Sequence, residues 1–272
     1  GKTIEAGLIL KELQARGDVE SVLIICPKPL VAERKWEFEM SRFDEAFTAL
    51  DGPTLRQIIS DTNRDGVWPE RYRKAILPYS LLSAQLLYGE DGRKSRRSKG
   101  TGLLDLDPPP HFDLVIVDEA HHIRNSETLA HSAVKFFCDH AEAVLFLTAT
   151  PLQTGNEDLY TLLNVLRPDL VLDRETFTMM AQPNGYINKA IQSIRANHPE
   201  WPAIVQANVK EAAMTQWGSM VIAPSPEYSK VLKTVSEGNQ SDEARLKLVP
   251  QLEGFHSFHT MITRTRRQDI ED

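Results

Sequence analysis

The sequence is poor in features that define several other classes of protein. It has only two cysteines in 272 residues, Cys26 and Cys138, and they lie far apart. Neither belongs to a Cys/His set with the spacing of zinc ligands, so a structural zinc site is not expected. Cys26 ends an apolar run, which favours a buried free thiol over a disulfide. A reducing compartment follows, and we expect a cytoplasmic protein.

Long apolar runs and an excess of positive charge are also missing. No apolar stretch approaches the roughly 18 residues that span a membrane. The first residues place Glu5, Lys11 and Glu12 within a helical pattern, unlike a signal peptide. The formal net charge of −7 argues against a basic coat over the whole surface. We therefore expect no membrane partner and only a local track for nucleic acid.

Two short basic runs stand out against this acidic background, at residues 93–99 and 264–267. The first lies in a Gly-, Ser- and Arg-rich stretch over 89–102 that predicts a loop. It is either an electrostatic arm or a solvated surface run. In the second, Arg264, Arg266 and Arg267 either contact nucleic acid or the neighbouring cleft, or form structural salt bridges.

Short apolar runs alternate with helical patterns in the first part of the chain. The runs at 21–26, 75–77, 114–117 and 143–147 predict buried strands, and helical spacing covers 3–16, 30–43 and 80–88. This alternation predicts an α/β domain with a parallel sheet, whose ligands bind at the carboxyl ends of the strands. After Pro151, patterns at 157–166, 174–181, 186–196, 203–214 and 226–235 predict a mostly helical region.

The first three residues, Gly1-Lys2-Thr3, match the end of the phosphate-binding loop G-x-x-x-x-G-K-[ST]. On its own, the tripeptide fits an ordinary helix start better. The first half of such a loop and the strand that feeds it do not precede Gly1 in this sequence. We therefore expect an incomplete phosphate grip.

Two of the predicted strands end in residues that can do chemistry. Asp118 and Glu119 follow the strand at 114–117, where one carboxylate can hold Mg²⁺ and the next can deprotonate an attacking water. Thr148 and Thr150 follow the strand at 143–147, and their hydroxyls can bond a carboxylate or imidazole. A helix cap, or a strand ended by proline, explains each pair alone. Their order after Gly1-Lys2-Thr3 predicts a nucleoside triphosphate site.

Six stretches together carry a family resemblance: G-K-T-I-E-A-G-L-I-L, I-I-C-P-K-P-L-V-A-E-R-K-W, A-I-L-P-Y-S-L-L-S, D-L-V-I-V-D-E-A-H-H-I-R-N, L-F-L-T-A-T-P-L-Q-T and M-I-T-R-T-R-R. They resemble the motifs of the first RecA-like lobe of helicase superfamily two, and more narrowly a Swi/Snf-type ATPase of bacterial or archaeal type. The likeness spans nearly the whole chain, although residues 155–258 match only as a helical pattern. Ala149 and Thr154 replace the Gly and Asn of many members, which leaves the subfamily open.

The resemblance implies a domain organisation and two cofactors. Residues 1–155 are expected to form a RecA-like P-loop NTPase lobe, 156–260 a helical insertion, and 261–272 the end of that lobe, leading to a second RecA-like lobe. The implied cofactors are ATP and Mg²⁺. The family assigns phosphate binding to Gly1, Lys2 and Thr3, the metal to Thr3 and Asp118, and catalysis to Lys2, Asp118 and Glu119.

The resemblance also implies contacts with nucleic acid. His121, Thr148 and Thr150 are expected to couple the ATP site to those contacts. The contacts themselves fall to Pro27, Lys28, Tyr79, Ser80 and Gln153, although Lys28 is equally well explained as a solvated lysine. We expect Glu5 to give local support and His121-His122 not to bind a metal, since adjacent residues do not share a face.

Three functions remain open at this level. The first is an ATP-driven motor that translocates along double-stranded DNA, and the second is a helicase that separates strands of DNA or RNA. The third is a lobe that only binds and does not catalyse. Because half of the phosphate loop is missing, we expect the isolated 272-residue chain to bind ATP poorly.

Overall fold

The computed structural model describes residues 2–17, 19–89, 101–148, 155–169, 173–236 and 242–261. The chain divides into two compact units, Gly1–Val171 and Leu172–Asp272. The first unit therefore continues past residue 155, where the motifs end, and includes one further helix. The functional division at 155 and 260 stays a prediction.

The first unit is built around a five-stranded parallel sheet. Its strands are β1 (Val22–Cys26), β2 (Thr48–Ala49), β3 (Lys74–Pro78), β4 (Phe112–Asp118) and β5 (Ala141–Leu147), in the spatial order β2-β3-β1-β4-β5. All neighbouring strands run parallel. The predicted α/β lobe is confirmed, and the carboxyl ends of its strands meet at one edge.

The described helices of this unit are α1 (Lys2–Ala15), α2 (Lys28–Ala32), α3 (Lys35–Ser41), α4 (Gly52–Asp65), α5 (Ala84–Tyr88), α6 (Leu129–Asp139) and α7 (Gly155–Leu166). The helix predicted over 30–43 is in fact two helices, because Arg34 adopts a left-handed conformation (φ 53°) between them. The helix predicted over 80–88 begins as a 3-10 turn at Tyr79–Leu81. Its α-helical part starts only after Ser83, whose side chain accepts from the N–H of Leu86.

The sheet is covered on both faces, as a parallel sheet requires. On one face, Ile24 and Ile116 pack in a core with residues of α1 and α3. On the other face, Leu23, Ile25 and Val115 pack with residues of α4 and α6. Successive residues of β1 thus point to opposite layers and all are buried, which explains its unbroken apolar sequence. Both cysteines are buried free thiols, as predicted for Cys26.

The described residues of the second unit form helices and turns. The helices are α8 (Arg174–Ala181), α9 (Asn184–Arg195), α10 (Trp201–Met214), α11 (Gln216–Val221), α12 (Pro226–Ser236) and α13 (Asp242–Glu253). Their shared core includes Ile191, Val205, Val209 and Leu252. The predicted helical C-terminal region is confirmed, with α11 and α13 in addition to the predicted helices. Across the described parts of both units, no helix is long and apolar enough to cross a membrane.

Candidate functional site

A cleft of about 430 Å³ opens where α1 and α3 meet the carboxyl edge of the sheet. The strand register explains its position, because Ile25 at the end of β1 pairs with Val117 of β4. The polar side chains that line the cleft are Lys2, Thr3, Lys35, Glu39, Asp118 and Glu119. The first two and last two of these are site residues predicted from the sequence, so the fold brings residues as far as 117 positions apart into one cleft.

Lys2 and Glu119 form an ion pair at this cleft. The Nζ of Lys2 lies 3.1 Å from Oε1 of Glu119. Their side chains are 35% and 28% exposed, so water screens the pair and its contribution to stability is only about 0–1 kcal/mol. Lys2 is also the first residue of α1, where a cation is unfavourable beside the positive end of the helix dipole. The position therefore suits an anion.

Asp118 is buried at the end of β4, with only 5% of its surface exposed. Its Oδ1 accepts a hydrogen bond from the N–H of Glu119 (2.8 Å), and its Oδ2 accepts one from Nε1 of Trp36 (3.0 Å). Burial raises the pKa of Asp118, and these two bonds, with the charge of Lys2, only partly oppose it. A cation in the cleft would favour the ionised carboxylate.

Glu119 has an unusual backbone conformation. This residue adopts a left-handed conformation (φ 49°, ψ 51°) between β4 and a 3-10 turn at Ala120–Ile123. For a residue other than glycine, this conformation costs on the order of 1 kcal/mol or more. Strain of this kind is typical of functional sites, where it aims a side chain that a regular turn would direct elsewhere.

Three aromatic rings lie in a row beside the acidic pair. His121 and His122 stack with centroids 4.6 Å apart, and His122 lies 5.2 Å from the ring of Tyr79. The Nδ1 of His121 is 3.2 Å from Oε2 of Glu119, an ion pair only when the imidazole is protonated. Adjacent histidines therefore do share a face here, because they sit in a tight 3-10 turn. Within the described residues, no group of three or more potential ligands forms a metal site.

Tyr79 contacts the end of β4 directly. Its hydroxyl donates to the backbone carbonyl of Asp118 (3.0 Å). Burial, and then the nearby Asp118 carboxylate, raises the pKa of Tyr79, so the hydroxyl keeps the proton that it donates. Burial, and then the neighbouring His121, lowers the pKa of His122, which favours a neutral ring in this stack.

The other predicted residues lie at the same edge or outside the described chain. Pro27 lines the cleft, whereas Lys28 and Ser80 are exposed at the ends of β1 and β3. Thr148 follows Leu147, which pairs with Asp118 in the sheet. Gly1, Thr150, Gln153 and the basic runs at 93–99 and 264–267 lie outside the described residues.

Sequence patterns did not predict the long-range contacts made by Asp118 and by the segment that follows it. The hydrogen bond from Trp36 to Asp118 joins positions 82 residues apart. Arg124, in the segment after the acidic pair, lies 3.6 Å from Asp158 of α7. A tryptophan at helical spacing from Met40 predicts only a core position, so no local signal could have identified its polar role.

The residues of the cleft fit a phosphate chain with a divalent cation. Lys2 and the N-terminus of α1 supply the positive charge that phosphates need. The hydroxyl of Thr3 and the carboxylate of Asp118 are oxygen ligands of the kind that Mg²⁺ prefers. Glu119 supplies a second carboxylate, which can accept a proton.

Comparisons with known proteins assign the chain to a family. A family model described as the SNF2-related domain matches residues 1–196. The RNA polymerase-associated protein RapA of Pasteurella multocida (strain Pm70) is 30% identical over 275 residues, covering 100% of this chain and 26% of the relative. RapA of Haemophilus influenzae (strain PittEE) is 29% identical over 277 residues, covering 100% and 27%. The chain thus spans about a quarter of the length of these relatives.

Among solved structures, the chain is similar to a Sulfolobus solfataricus SWI2/SNF2 ATPase core in complex with dsDNA. The TM-score is 0.43 at 14% identity, covering 87% of this chain and 57% of that chain. The family match rests on sequence and extends over well more than half of the chain. This chain therefore belongs to the SNF2-related domain family, in agreement with its resemblance to the first lobe of Swi/Snf-type ATPases.

Proposed function

We propose that this chain is the ATP-binding lobe of a motor that translocates along double-stranded DNA. The observation that carries the proposal is the ion pair between Lys2 and Glu119 in the cleft beside Asp118. It places the cation of a phosphate grip beside the acidic pair of a hydrolase, and hydrolysis of a nucleoside triphosphate needs both groups at one site. The proposed division remains a lobe over 1–155, a helical insertion over 156–260 and the lobe's end over 261–272.

Each residue of the cleft has a distinct task in this proposal. Lys2 and, before it, Gly1 bind the phosphates, while Thr3 and Asp118 hold Mg²⁺. When bound, the metal neutralises charge on the phosphates and orients them. Glu119 accepts a proton from the attacking water at a carboxylate oxygen, and its left-handed backbone holds that carboxylate at the cleft.

The proposal also includes contacts with nucleic acid. We assign them to Pro27, Lys28, Tyr79, Ser80 and Gln153, with contacts to phosphates that read shape and not sequence. His121, Thr148 and Thr150 couple these contacts to the ATP site. A second RecA-like lobe of the complete protein would close the cleft.

The first experiment measures ATP hydrolysis by the complete protein with and without double-stranded DNA. We expect DNA to stimulate hydrolysis and Glu119→Gln to lower the rate by about a hundredfold or more. Glu127→Gln is the matched control, because Glu127 is exposed in the segment that follows. Turnover by Glu119→Gln equal to that of the unchanged protein would sink the proposal.

A second experiment separates translocation from strand separation. A translocase should displace a third strand from a DNA triplex in an ATP-dependent way, and should leave the strands of a tailed duplex paired. Unwinding of the tailed duplex would favour a helicase. Stimulation of ATP hydrolysis by RNA and not by DNA would make RNA the substrate. Binding of nucleic acid without ATP hydrolysis would favour a lobe that only binds and does not catalyse.

A further inference from the structure

The side chain of Trp36 occupies an unusual place for a core tryptophan. It is 1% exposed and packs in the layer formed by α1, α3 and one face of the sheet. Its indole Nε1 nevertheless donates to Oδ2 of Asp118 at 3.0 Å, across 82 positions of sequence. The ring therefore has a second partner besides the apolar core, and that partner lines the cleft.

Helix α3 explains how one residue reaches both environments. Trp36 and Met40 are buried, one turn apart, while Lys35 and Glu39 line the cleft, also one turn apart. The cleft-facing row and the core-facing row are thus adjacent on the helix. Arg34, whose backbone is left-handed, immediately precedes this helix. The helix that follows places Trp36 of the core-facing row within hydrogen-bonding distance of Asp118.

The chemistry of the indole suits a support for a metal ligand. Indole N–H is a donor only, carries no charge and does not titrate. It can fix one carboxylate oxygen without competing with a cation, as the charge of a Lys or Arg would. Asp118 receives one internal bond at each oxygen, from Trp36 and from the N–H of Glu119. Each oxygen therefore keeps lone-pair capacity for a ligand in the cleft.

From this geometry we infer that Trp36 is a positioning residue, which holds the Asp118 carboxylate in the orientation that binds the divalent cation of the nucleotide. The inference rests on the proposed function and adds to it a residue outside the acidic pair. Water has little access to replace the lost donor, because Trp36 and Asp118 are 1% and 5% exposed. Removal of the N–H should therefore leave the carboxylate less well oriented.

The test measures binding of a fluorescent ATP analogue to the complete protein at equilibrium, over a titration of Mg²⁺ and separately in EDTA. Two variants remove the N–H: Trp36→Phe, and replacement of Trp36 by 3-benzothienylalanine, which keeps the shape of the indole. We expect the Mg²⁺ concentration at half-saturation to rise about tenfold in both. Binding in EDTA should not change, since the phosphates still meet Lys2.

The matched control is Trp68→Phe. Trp68 donates its own indole N–H to the carbonyl of Tyr72 at 3.1 Å, so the variant loses a bond of the same kind at another place in the lobe. This control should leave both titrations unchanged. The benzothienyl variant keeps the test decisive if Trp36→Phe fails to fold.

Two results would overturn the inference alone. One is an unchanged Mg²⁺ titration in the benzothienyl variant, and the other is an equal loss of binding with Mg²⁺ and in EDTA, which marks a purely structural role. If the unchanged protein bound the nucleotide without any dependence on Mg²⁺, the proposed function would fail and the inference with it. The two failures are therefore distinguishable.

Discussion

The ammonium group of Lys2 lies 3.1 Å from a carboxylate oxygen of Glu119, a residue 117 positions further along the chain. In this arrangement the two groups that a nucleotide would need are bound to each other. Phosphates entering the cleft would compete with Glu119 for Lys2, and so would release the carboxylate. A bound phosphate would therefore replace this ion pair at Lys2.

Lys2→Ala should separate binding from stability. The pair is partly exposed, so the free energy of unfolding should fall by no more than about 1 kcal/mol, as judged by urea unfolding. Nucleotide binding by the complete protein should be lost, because the cleft loses its phosphate-binding cation. Lys135→Ala is the control, since Lys135 forms a similarly exposed pair with Asp139 outside the cleft. Unimpaired nucleotide affinity in Lys2→Ala would contradict the assignment.

Gly7→Ala should destabilise the first unit. A Cβ atom at Gly7 would lie 2.3 Å from the ring of Phe43, so either α1 or the ring must move. Overpacking of this kind typically costs about 1–3 kcal/mol, measured as a loss in the free energy of unfolding.

Gly185→Ala is the matched control for this change. No heavy atom lies within 4 Å of a Cβ at Gly185, which is also helical, so this substitution should be neutral or stabilise by up to about 1 kcal/mol. Phe43→Leu combined with Gly7→Ala should recover part of the loss. If Gly7→Ala proves as harmless as Gly185→Ala, then α1 and the ring of Phe43 do not pack as described.

Glu45 should make the stability of the lobe sensitive to acid. Its carboxylate is 6% exposed and accepts from Lys11 (2.6 Å) and Lys74 (2.5 Å), joining α1 to β3. Burial alone would raise the pKa of Glu45, but the bonds from Lys11, Lys74 and Gln14 outweigh it, and the pKa falls below its ordinary 4.5. The stabilisation is thus present above that value and is lost as pH falls through the lower, folded-state pKa.

Glu45→Gln tests this expectation. The variant should be less stable than the unchanged chain by about 1–3 kcal/mol at neutral pH, and the difference should shrink below pH 4.5. Urea unfolding at several pH values measures it, and Glu20→Gln is the control because the side chain of Glu20 is 85% exposed. A difference that grows as the pH falls would refute the assigned direction.

In the second unit, Arg245→Met should lower the free energy of unfolding by more than the loss of an exposed charge would. Arg245 is buried (8% exposed) on α13, and it donates to the carbonyl of Ile194 in the last turn of α9 and to Asp242. Loss of the guanidinium removes one of the two hydrogen bonds at the carbonyl of Ile194, which still accepts from the N–H of Asn197. A hydrogen bond from a charged donor of this kind contributes about 1.5–3 kcal/mol. Lys247→Met, which breaks an exposed pair with Glu243, should change the free energy by less than about 0.5 kcal/mol. Equal effects of the two substitutions would refute the buried role.

Local sequence patterns predicted much of this fold and part of the candidate site. Buried strands were predictable because both faces of the sheet are covered, so apolar residues run without a break in β1 and over residues 114–117 of β4. Helix α4 is equally predictable from its sequence. Its buried residues recur at helical spacing, at Leu55, Ile58, Ile59 and Thr62.

The remaining features depend on contacts that no local window contains. The bond from Trp36 joins α3 to β4, and the ring of Tyr79 meets His122 only because β3 and β4 flank β1. The left-handed backbone of Glu119 likewise has no signal, because neither glycine nor asparagine occupies the position. Motifs therefore predicted four of the polar residues that line the cleft, whereas the partners that hold them in place depend on tertiary structure.

The labelling rates of the two buried thiols can report how often the first unit opens. Cys26 lies at the end of β1, where burial and the charge of Asp118 raise its pKa to about 12, and Cys138 lies on α6 against the other face of the sheet. Since the thiolate is the reactive form, a thiol reagent should modify these positions only when the sheet opens. These 272 residues contain no other cysteine, so labelling of this chain reports on its first unit alone. Any ligand that stabilises the folded unit should slow this labelling, and the decrease in rate measures how strongly the ligand stabilises it.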